Sequence, residues 1–240
     1  MIGCIDFGNT RIKAAIISGG NIIQKISVDY SNAAELHMFL QRHDVRAIAT
    51  CDVSGKGENI LTILQSKINI HRLNGSTLLP FNNKYLTPKT LGADRIAAVA
   101  GAQLLFPNTT CMVIDCGTCM TTDVITADGQ YVGGTISPGL NMRLRAMHEF
   151  TGKLPLVEFR NPLIFPGNDT DSCMLNGAFT GMVDEINGAA RRYTELYGPC
   201  KVLMCGGDAD LFAEHLNLNI FAAPDLVLFG LYQIYRQHDT

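Results

Sequence analysis

The sequence has no long basic run. Lys and Arg total 19 against 22 Asp and Glu, a net charge of −3, and the densest basic pair, Arg191-Arg192, reads as a solvated helix face. Binding a nucleic-acid backbone takes clustered positive charge, so a nucleic-acid partner is disfavoured. Long apolar runs are missing too. The most apolar stretch, Ile96 to Phe106, is too short to cross a bilayer and contains Gln103. No membrane association is expected. The opening Met1-Ile-Gly-Cys-Ile-Asp6 has no Lys or Arg and is interrupted by Asp6, so it lacks the pattern of a secretory leader. The cytoplasm is the expected compartment. There are eight cysteines, but Cys116 and Cys119 form a lone C-x-x-C. Without a second such pair or paired histidines, structural zinc is disfavoured. Cys4, Cys51, Cys111 and Cys205 sit in apolar strand-like runs and read as buried thiols of a reducing compartment. His37, His43, His71, His148, His215 and His238 show no metal-binding spacing.

What is present is a core and a repeat. Hydrophobic residues make up 47% of the 240 residues and charged ones 17%, enough to pack one large domain or two small ones. Two stretches look alike. Ile2 to Asp6 leads into Gly8-Asn9-Thr10, then Arg11 to Ile17, a Gly19-Gly20-Asn21 turn and Ile22 to Val28. Cys111 to Asp115 leads into Gly117-Thr118, then Cys119 to Thr126, an Asp128-Gly129 turn and Gln130 to Thr135. Each reads as three strands joined by tight turns, followed by a helix. The first helix is expected over Asn32 to His43 with Ser31 as cap; the second is expected over Gly139 to Phe150. Further expected elements are a strand Val45 to Cys51, a helix Glu58 to Ser66 and a helix Ala93 to Leu105. A loop with Pro155, Pro162 and Pro166 follows the second repeat. Then come a helix Thr170 to Leu196, a strand Lys201 to Cys205 and a final helix Pro224 to Tyr235. The chain reads as a duplicated β-β-β-α unit, in two similar domains facing a cleft. The boundary falls near Phe106-Pro107-Asn108, giving residues 1–108 and 109–240.

Asp6 and Asp115 occupy the same place in each repeat. A strand that ends in a carboxylate and then turns on glycine brings main-chain N–H groups close to a phosphate. Asn9 and Thr10 add donors, Lys13 can neutralise charge, and Asp6 can orient Mg²⁺ through water. Taken alone, one such copy also reads as an ordinary hairpin. Leu91-Gly-Ala-Asp94-Arg95 places a carboxylate in the first turn of a helix, where the dipole favours the anion. Asp94 can accept the proton of an attacking hydroxyl, and Arg95 can grip a carboxylate bidentately. The same pair also reads as an ordinary helix start.

The set Asp6-Phe-Gly-Asn-Thr-x-x-Lys13, Leu91-Gly-Ala-Asp-Arg95, Asp115-Cys-Gly-Thr118 and Gly133-Gly-Thr-Ile-Ser-Pro-Gly139 resembles type III pantothenate kinase over nearly the whole chain. The resemblance implies an α/β fold of two ribonuclease-H-like domains, of the actin and sugar-kinase type, facing an ATP cleft. It implies ATP-dependent phosphorylation of pantothenate to 4'-phosphopantothenate, the first step towards coenzyme A. It also implies ATP with Mg²⁺, a monovalent cation (K⁺ or NH₄⁺) and a homodimer. Carried over by position, the catalytic base is Asp94. ATP contacts are Asp6, Phe7, Gly8, Asn9, Thr10, Arg11, Ile12, Lys13 and Thr118. Substrate contacts are Tyr85, Gly92, Ala93, Asp94, Arg95 and Thr170, the last across the dimer interface. Asp115 is the implied monovalent-cation ligand and Asp6 the Mg²⁺ ligand, through water. By local chemistry Tyr85 also reads as a half-buried loop aromatic, and Thr170 as part of a helix cap. Cys119 and Cys205 depart from the family pattern, which has a small residue and a threonine there. A sugar or acetate-type kinase of the same superfamily and a non-catalytic regulatory relative are the alternative readings.

Overall fold

A computed structural model describes residues 1–65, 68–161 and 163–238. Ser66, the expected end of one helix, and Pro162, in the expected loop, lie outside the described residues. The chain folds as two units. The first comprises Met1–Thr109, Ile125–Gly133 and Asp225–Thr240, and the second Thr110–Val124 and Gly134–Pro224.

The first unit starts with the three-strand repeat. β1 (Ile2–Phe7) pairs antiparallel with β2 (Arg11–Ser18), and β2 with β3 (Asn21–Asp29). Gly19 and Gly20 both take positive φ, 58° and 87°, the twist that a tight two-residue hairpin demands. A 3-10 turn (Tyr30–Asn32) precedes α1 (Ala33–Gln41). Ser31 is therefore not the helix cap: it lies inside that turn, Asn32 is the N-cap residue, and its side chain makes no cap bond. β4 (Ala47–Asp52) and, after α2 (Glu58–Gln65), β5 (Asn69–Arg72) extend the sheet in parallel, giving the order β3-β2-β1-β4-β5. α1 and α2 supply Leu36, Phe39, Leu40, Leu61 and Leu64 to a core shared with Ile5, Phe7, Ile12 and Ile16. Burying each such side chain stabilises the fold by about 1.5–3 kcal/mol, which anchors the first hairpin from beneath. α3 (Ala93–Leu105) and the C-terminal α7 (Leu226–His238) also pack together in this unit. They approach so closely that a Cβ at Gly230 would overlap the backbone of Ala97. β1 and β4 are thus buried along almost their whole length, as expected of parallel strands in the middle of a sheet.

The second repeat is built alike. β7 (Cys111–Cys116), β8 (Cys119–Ile125) and β9 (Gln130–Pro138) lead to α4 (Leu140–Glu149). After α5 (Thr170–Tyr197), β10 (Lys201–Cys205) pairs parallel to β7. Then follow the short α6 (Ala209–Ala213) and β11 (Ile220–Ala222). With β6 (Asn82–Asn83) the second sheet has the order β11-β10-β7-β8-β9-β6. The architecture is α/β, as the sequence pattern leads one to expect.

Candidate active site

In an open α/β sheet, ligands gather beyond the carboxyl ends of the parallel strands. Asp6 sits at that end of β1. It lies level with Lys13 on β2 and Cys51 on β4, so the three side chains share one face. Gly8 N–H donates to Arg11 O at 3.2 Å and closes the turn between β1 and β2. The Cys51 thiol donates to Asp6 Oδ1 at 3.4 Å, and both residues are buried. Burial pushes that thiol well above its ordinary range, and the carboxylates of Asp6 and Asp94 push it further. Two carboxylates from different elements, β1 and the start of α3, therefore act on one buried thiol.

α3 delivers Asp94. Gly92 is its N-cap residue and Asp94 lies in its first turn. Asp94 Oδ1 accepts the N–H of Arg95 at 2.8 Å, which folds the carboxylate back over Gly92. A Cβ at Gly92 would stand 2.5 Å from that oxygen, so any side chain there would displace the carboxylate. The next residue, Arg95, is only 5% exposed. Its guanidinium lies 5.9 Å from the Tyr85 ring centroid, in cation–π range. Tyr85 in turn stacks on Tyr131 with centroids 6.2 Å apart, and its N–H is held by Asn83 Oδ1 at 2.9 Å. A buried cation beside an aromatic face is suited to an anionic organic ligand.

The second unit repeats the strand-end carboxylate. Asp115 is the penultimate residue of β7, and Gly117 N–H donates to Cys119 O at 3.1 Å to close the next turn. Gly206, at φ 98°, passes so close that a Cβ would meet Asp115 Oδ1 at 2.6 Å. Asp208 N–H then donates to Cys116 O at 2.9 Å. Burial, followed by the nearby Asp115 and Asp208, pushes the Cys116 thiol up to about 12. Burial also raises Asp208. The Gly133–Gly139 segment ends against the same turn, with Gly139 N–H donating to Thr118 O at 3.1 Å.

The structure brings Asp6, Lys13 and Asp94 to the end of one sheet, with Arg95 and Tyr85 paired in the same unit. Gly8 and Ala93 are half-buried there, and Asn9 and Thr10 are exposed at the turn. Phe7 and Ile12 have fully buried side chains and offer a ligand only their main chain. Arg11 is tied to β3, through Ser27 O at 3.2 Å and Asp29 at 3.5 Å. Thr118 is exposed. Thr170 is exposed as well and is the first residue of α5. The cap of that helix is Asp169, which forms a reciprocal capping box with Ser172. Sequence reasoning assigned no site role to Cys51, Asp52, Ser54, Tyr30 or Lys56. Only the turn signature Asp52-Val-Ser-Gly-Lys-Gly57 after a strand marks any of them.

The sequence model of the family described as Type III pantothenate kinase matches residues 3–192. A type III pantothenate kinase of Flavobacterium johnsoniae is 35% identical over 98% of this chain and 98% of its own. Among solved structures, a Campylobacter jejuni protein described as a Baf family transcriptional activator is similar at a TM-score of 0.66 and 20% identity, covering 99% of this chain and 98% of its own. A ROK family glucokinase from Streptomyces griseus, in complex with glucose and AMPPNP, is similar at a TM-score of 0.51 and 13% identity, covering 98% and 99%. At those identities the two structures share the fold.

Proposed function

The chain belongs to the type III pantothenate kinase family, and from that premise we propose how its residues perform the transfer of the γ-phosphoryl group of ATP to the hydroxyl of pantothenate. One observation carries the reading. Asp6, at the glycine turn, and Asp94, at the start of α3, act together on the buried thiol of Cys51. That supports reading the phosphate-turn carboxylate and the proton acceptor as parts of one site. In phosphoryl transfer most of the catalysis is positioning and charge stabilisation.

Asp94 accepts the proton of the pantothenate hydroxyl as its oxygen attacks phosphorus, and ADP leaves with the electrons of the broken P–O bond. Arg95 binds the pantothenate carboxylate, with Tyr85 covering its guanidinium. Main-chain N–H groups of the turn from Gly8 to Thr10, with Lys13 beside them, receive the phosphates. Among the described residues no three His, Cys, Asp or Glu side chains cluster to hold a metal. Mg²⁺ brings its own waters and phosphate ligands and takes few protein groups, of which a strand-end carboxylate such as Asp6 is one kind. Asp6 would hold it through water, and the ion supplies charge neutralisation on the phosphates.

Three finer points belong to the same reading. Asp115, with Asp208 near the same thiol, would bind a K⁺ or NH₄⁺ ion. Thr170, exposed at the start of α5, would complete the pantothenate site of a second subunit in a homodimer. The cytoplasm is the proposed location; no described helix is long and apolar enough to cross a membrane. The reading is tested by supplying the purified protein with ATP, Mg²⁺ and K⁺ and a panel of pantothenate, sugars and hydroxy acids. Phosphate should pass to pantothenate alone. Turnover of a sugar in preference to pantothenate would contradict it.

A further inference from the structure

The loop after β4 folds back onto the Gly8–Thr10 turn, and Asp52 holds its shape. Asp52 Oδ1 accepts N–H of Ser54 at 3.0 Å and of Gly55 at 2.8 Å, and Oδ2 accepts N–H of Gly57 at 2.9 Å. The loop is packed tightly enough that a Cβ on Gly57 would meet the Phe7 ring at 2.8 Å. From this fixed base two arms reach the turn. Lys56 N–H donates to Ser54 Oγ at 3.1 Å, Ser54 Oγ lies 2.8 Å from Tyr30 Oη, and Tyr30 Oη donates to Gly8 O at 2.7 Å. Separately, Lys56 Nζ donates to Asn9 O at 3.0 Å and lies 5.0 Å from the Tyr30 ring centroid.

The proton count of the first arm is informative. Gly8 O is a pure acceptor, so it takes the single Tyr30 proton. Ser54 has one proton for two acceptors, Asp52 Oδ1 at 2.9 Å and Tyr30 Oη at 2.8 Å. Asp52 Oδ1 is already served by two N–H groups. Turning the Ser54 proton to Tyr30 leaves no acceptor unserved and makes a chain of aligned donors ending on Gly8, each strengthening the next. Burial, ahead of the nearby Asp52 and Asp6, pushes the Tyr30 hydroxyl above the ordinary phenol range, so it stays a donor.

A carbonyl and the following N–H share one rigid plane and point in opposite directions across a trans peptide. Fixing Gly8 O therefore fixes the direction of Asn9 N–H, and fixing Asn9 O fixes that of Thr10 N–H. Asn9 N–H is thereby aimed away from Tyr30, and Thr10 N–H away from the Lys56 ammonium. We propose that Tyr30 and Lys56, backed by Ser54, are positioning residues for the nucleotide phosphates: by holding the carbonyls of Gly8 and Asn9 they preset the two main-chain donors that receive the phosphate chain. The proposal rests on the reading of the Asp6–Lys13 hairpin as the phosphate cradle. Its physical content is preorganisation, since donors already aimed lose no freedom when the anion arrives.

Calorimetric binding of ATP and of adenosine to the full-length protein tests it, with Tyr30→Phe, Lys56→Met, Ser54→Ala and Asp6→Asn. Tyr30→Phe should weaken ATP by about 3- to 10-fold, the worth of one hydrogen bond, and leave adenosine and the pantothenate KM unchanged. Tyr30 carries no charge, so this loss cannot come from direct attraction. Lys56→Met should weaken ATP in the same sense. Ser54→Ala cuts the same chain, so adding it to Tyr30→Phe should cost nothing further; by itself it keeps the test open if Tyr30→Phe misfolds. Parental ATP affinity in folded Tyr30→Phe and Ser54→Ala overturns the proposal, as does equal weakening of ATP and adenosine. Asp6→Asn separates the two layers. If it destroys ATP binding while Tyr30→Phe and Ser54→Ala keep the parental ATP affinity, only the positioning proposal falls. If ATP affinity survives Asp6→Asn, the phosphate cradle itself is misassigned.

Discussion

Asp94 and Arg95 are chain neighbours with different tasks. Asp94 is half-buried and its Oδ1 is set by the Arg95 N–H, while the Arg95 guanidinium lies against Tyr85. If Arg95 holds the substrate carboxylate, Arg95→Gln should raise the pantothenate KM roughly 10- to 100-fold, the worth of a charge-assisted pair, with the ATP KM within about 2-fold of the parent. Steady-state kinetics with each substrate varied in turn checks this, and an equal rise in both KM values would release Arg95 from substrate recognition. At this scale the sequence disclosed residues whose role is written into a local turn. Asp6, Gly8 and Gly92 were readable because a strand end or a helix start demands them. Tyr30, Cys51 and Lys56 were not. Their partners Gly8, Asp6 and Asn9 lie 22, 45 and 47 residues away in the chain; Tyr30 meets Gly8 only when β3 pairs with β2, and Cys51 and Lys56 meet theirs only when β4 pairs with β1. Nothing local marks such residues.

Among the elements, α5 shows how a helix start can be told from a binding residue. Asp169 accepts Ser172 N–H at 2.7 Å, and that bond, followed by the Ser172 side chain, holds its carboxyl below the usual range. A lowered folded value means that the contribution is fully present above the unfolded value of about 3.9 and is lost as pH falls through the folded one. Asp169→Ala should lower the Tm by about 2–4 °C near neutral pH, and the gap to the parent should start to narrow as pH falls below about 4. Thermal melts from pH 3 to 7 would show it; a gap independent of pH would refute the ionised cap. Long helices such as Ala93–Leu105 and Thr170–Tyr197 were legible because periodic apolar residues and start signals agree. β5, β6 and β11 were not, being runs of 4, 2 and 3 residues, too short to show alternation. The small residues of α3 carried a second message that only packing reveals. Gly101 is glycine because the α7 backbone at Leu226 lies directly against it, just as Gly230 of α7 lies against the Ala97 carbonyl.

For the whole molecule, the duplicated β-β-β-α pattern was the most legible feature, since each copy carries its own turns and its own strand-end aspartate. That the C-terminal helix groups with the first unit was beyond sequence reasoning, because its apolar positions fit any apolar face. The proposed homodimer can be tested by complementation. Asp94→Asn and Thr170→Arg homodimers should each be inactive. After subunit exchange, a mixed dimer should regain activity at the site that joins an intact Asp94 to the partner's intact Thr170. Continued inactivity despite demonstrated exchange would leave Thr170 as an ordinary first residue of α5.

The central claim is that Asp94 accepts the proton when phosphate passes to pantothenate. Single-turnover transfer from ATP to pantothenate, compared between the parent and Asp94→Asn at saturating substrates, tests it most directly. The variant should bind ATP as the parent does, yet transfer phosphate slower by about 10²- to 10⁴-fold, the range of a lost general base. Transfer at the parental rate with unchanged ATP binding would contradict the account.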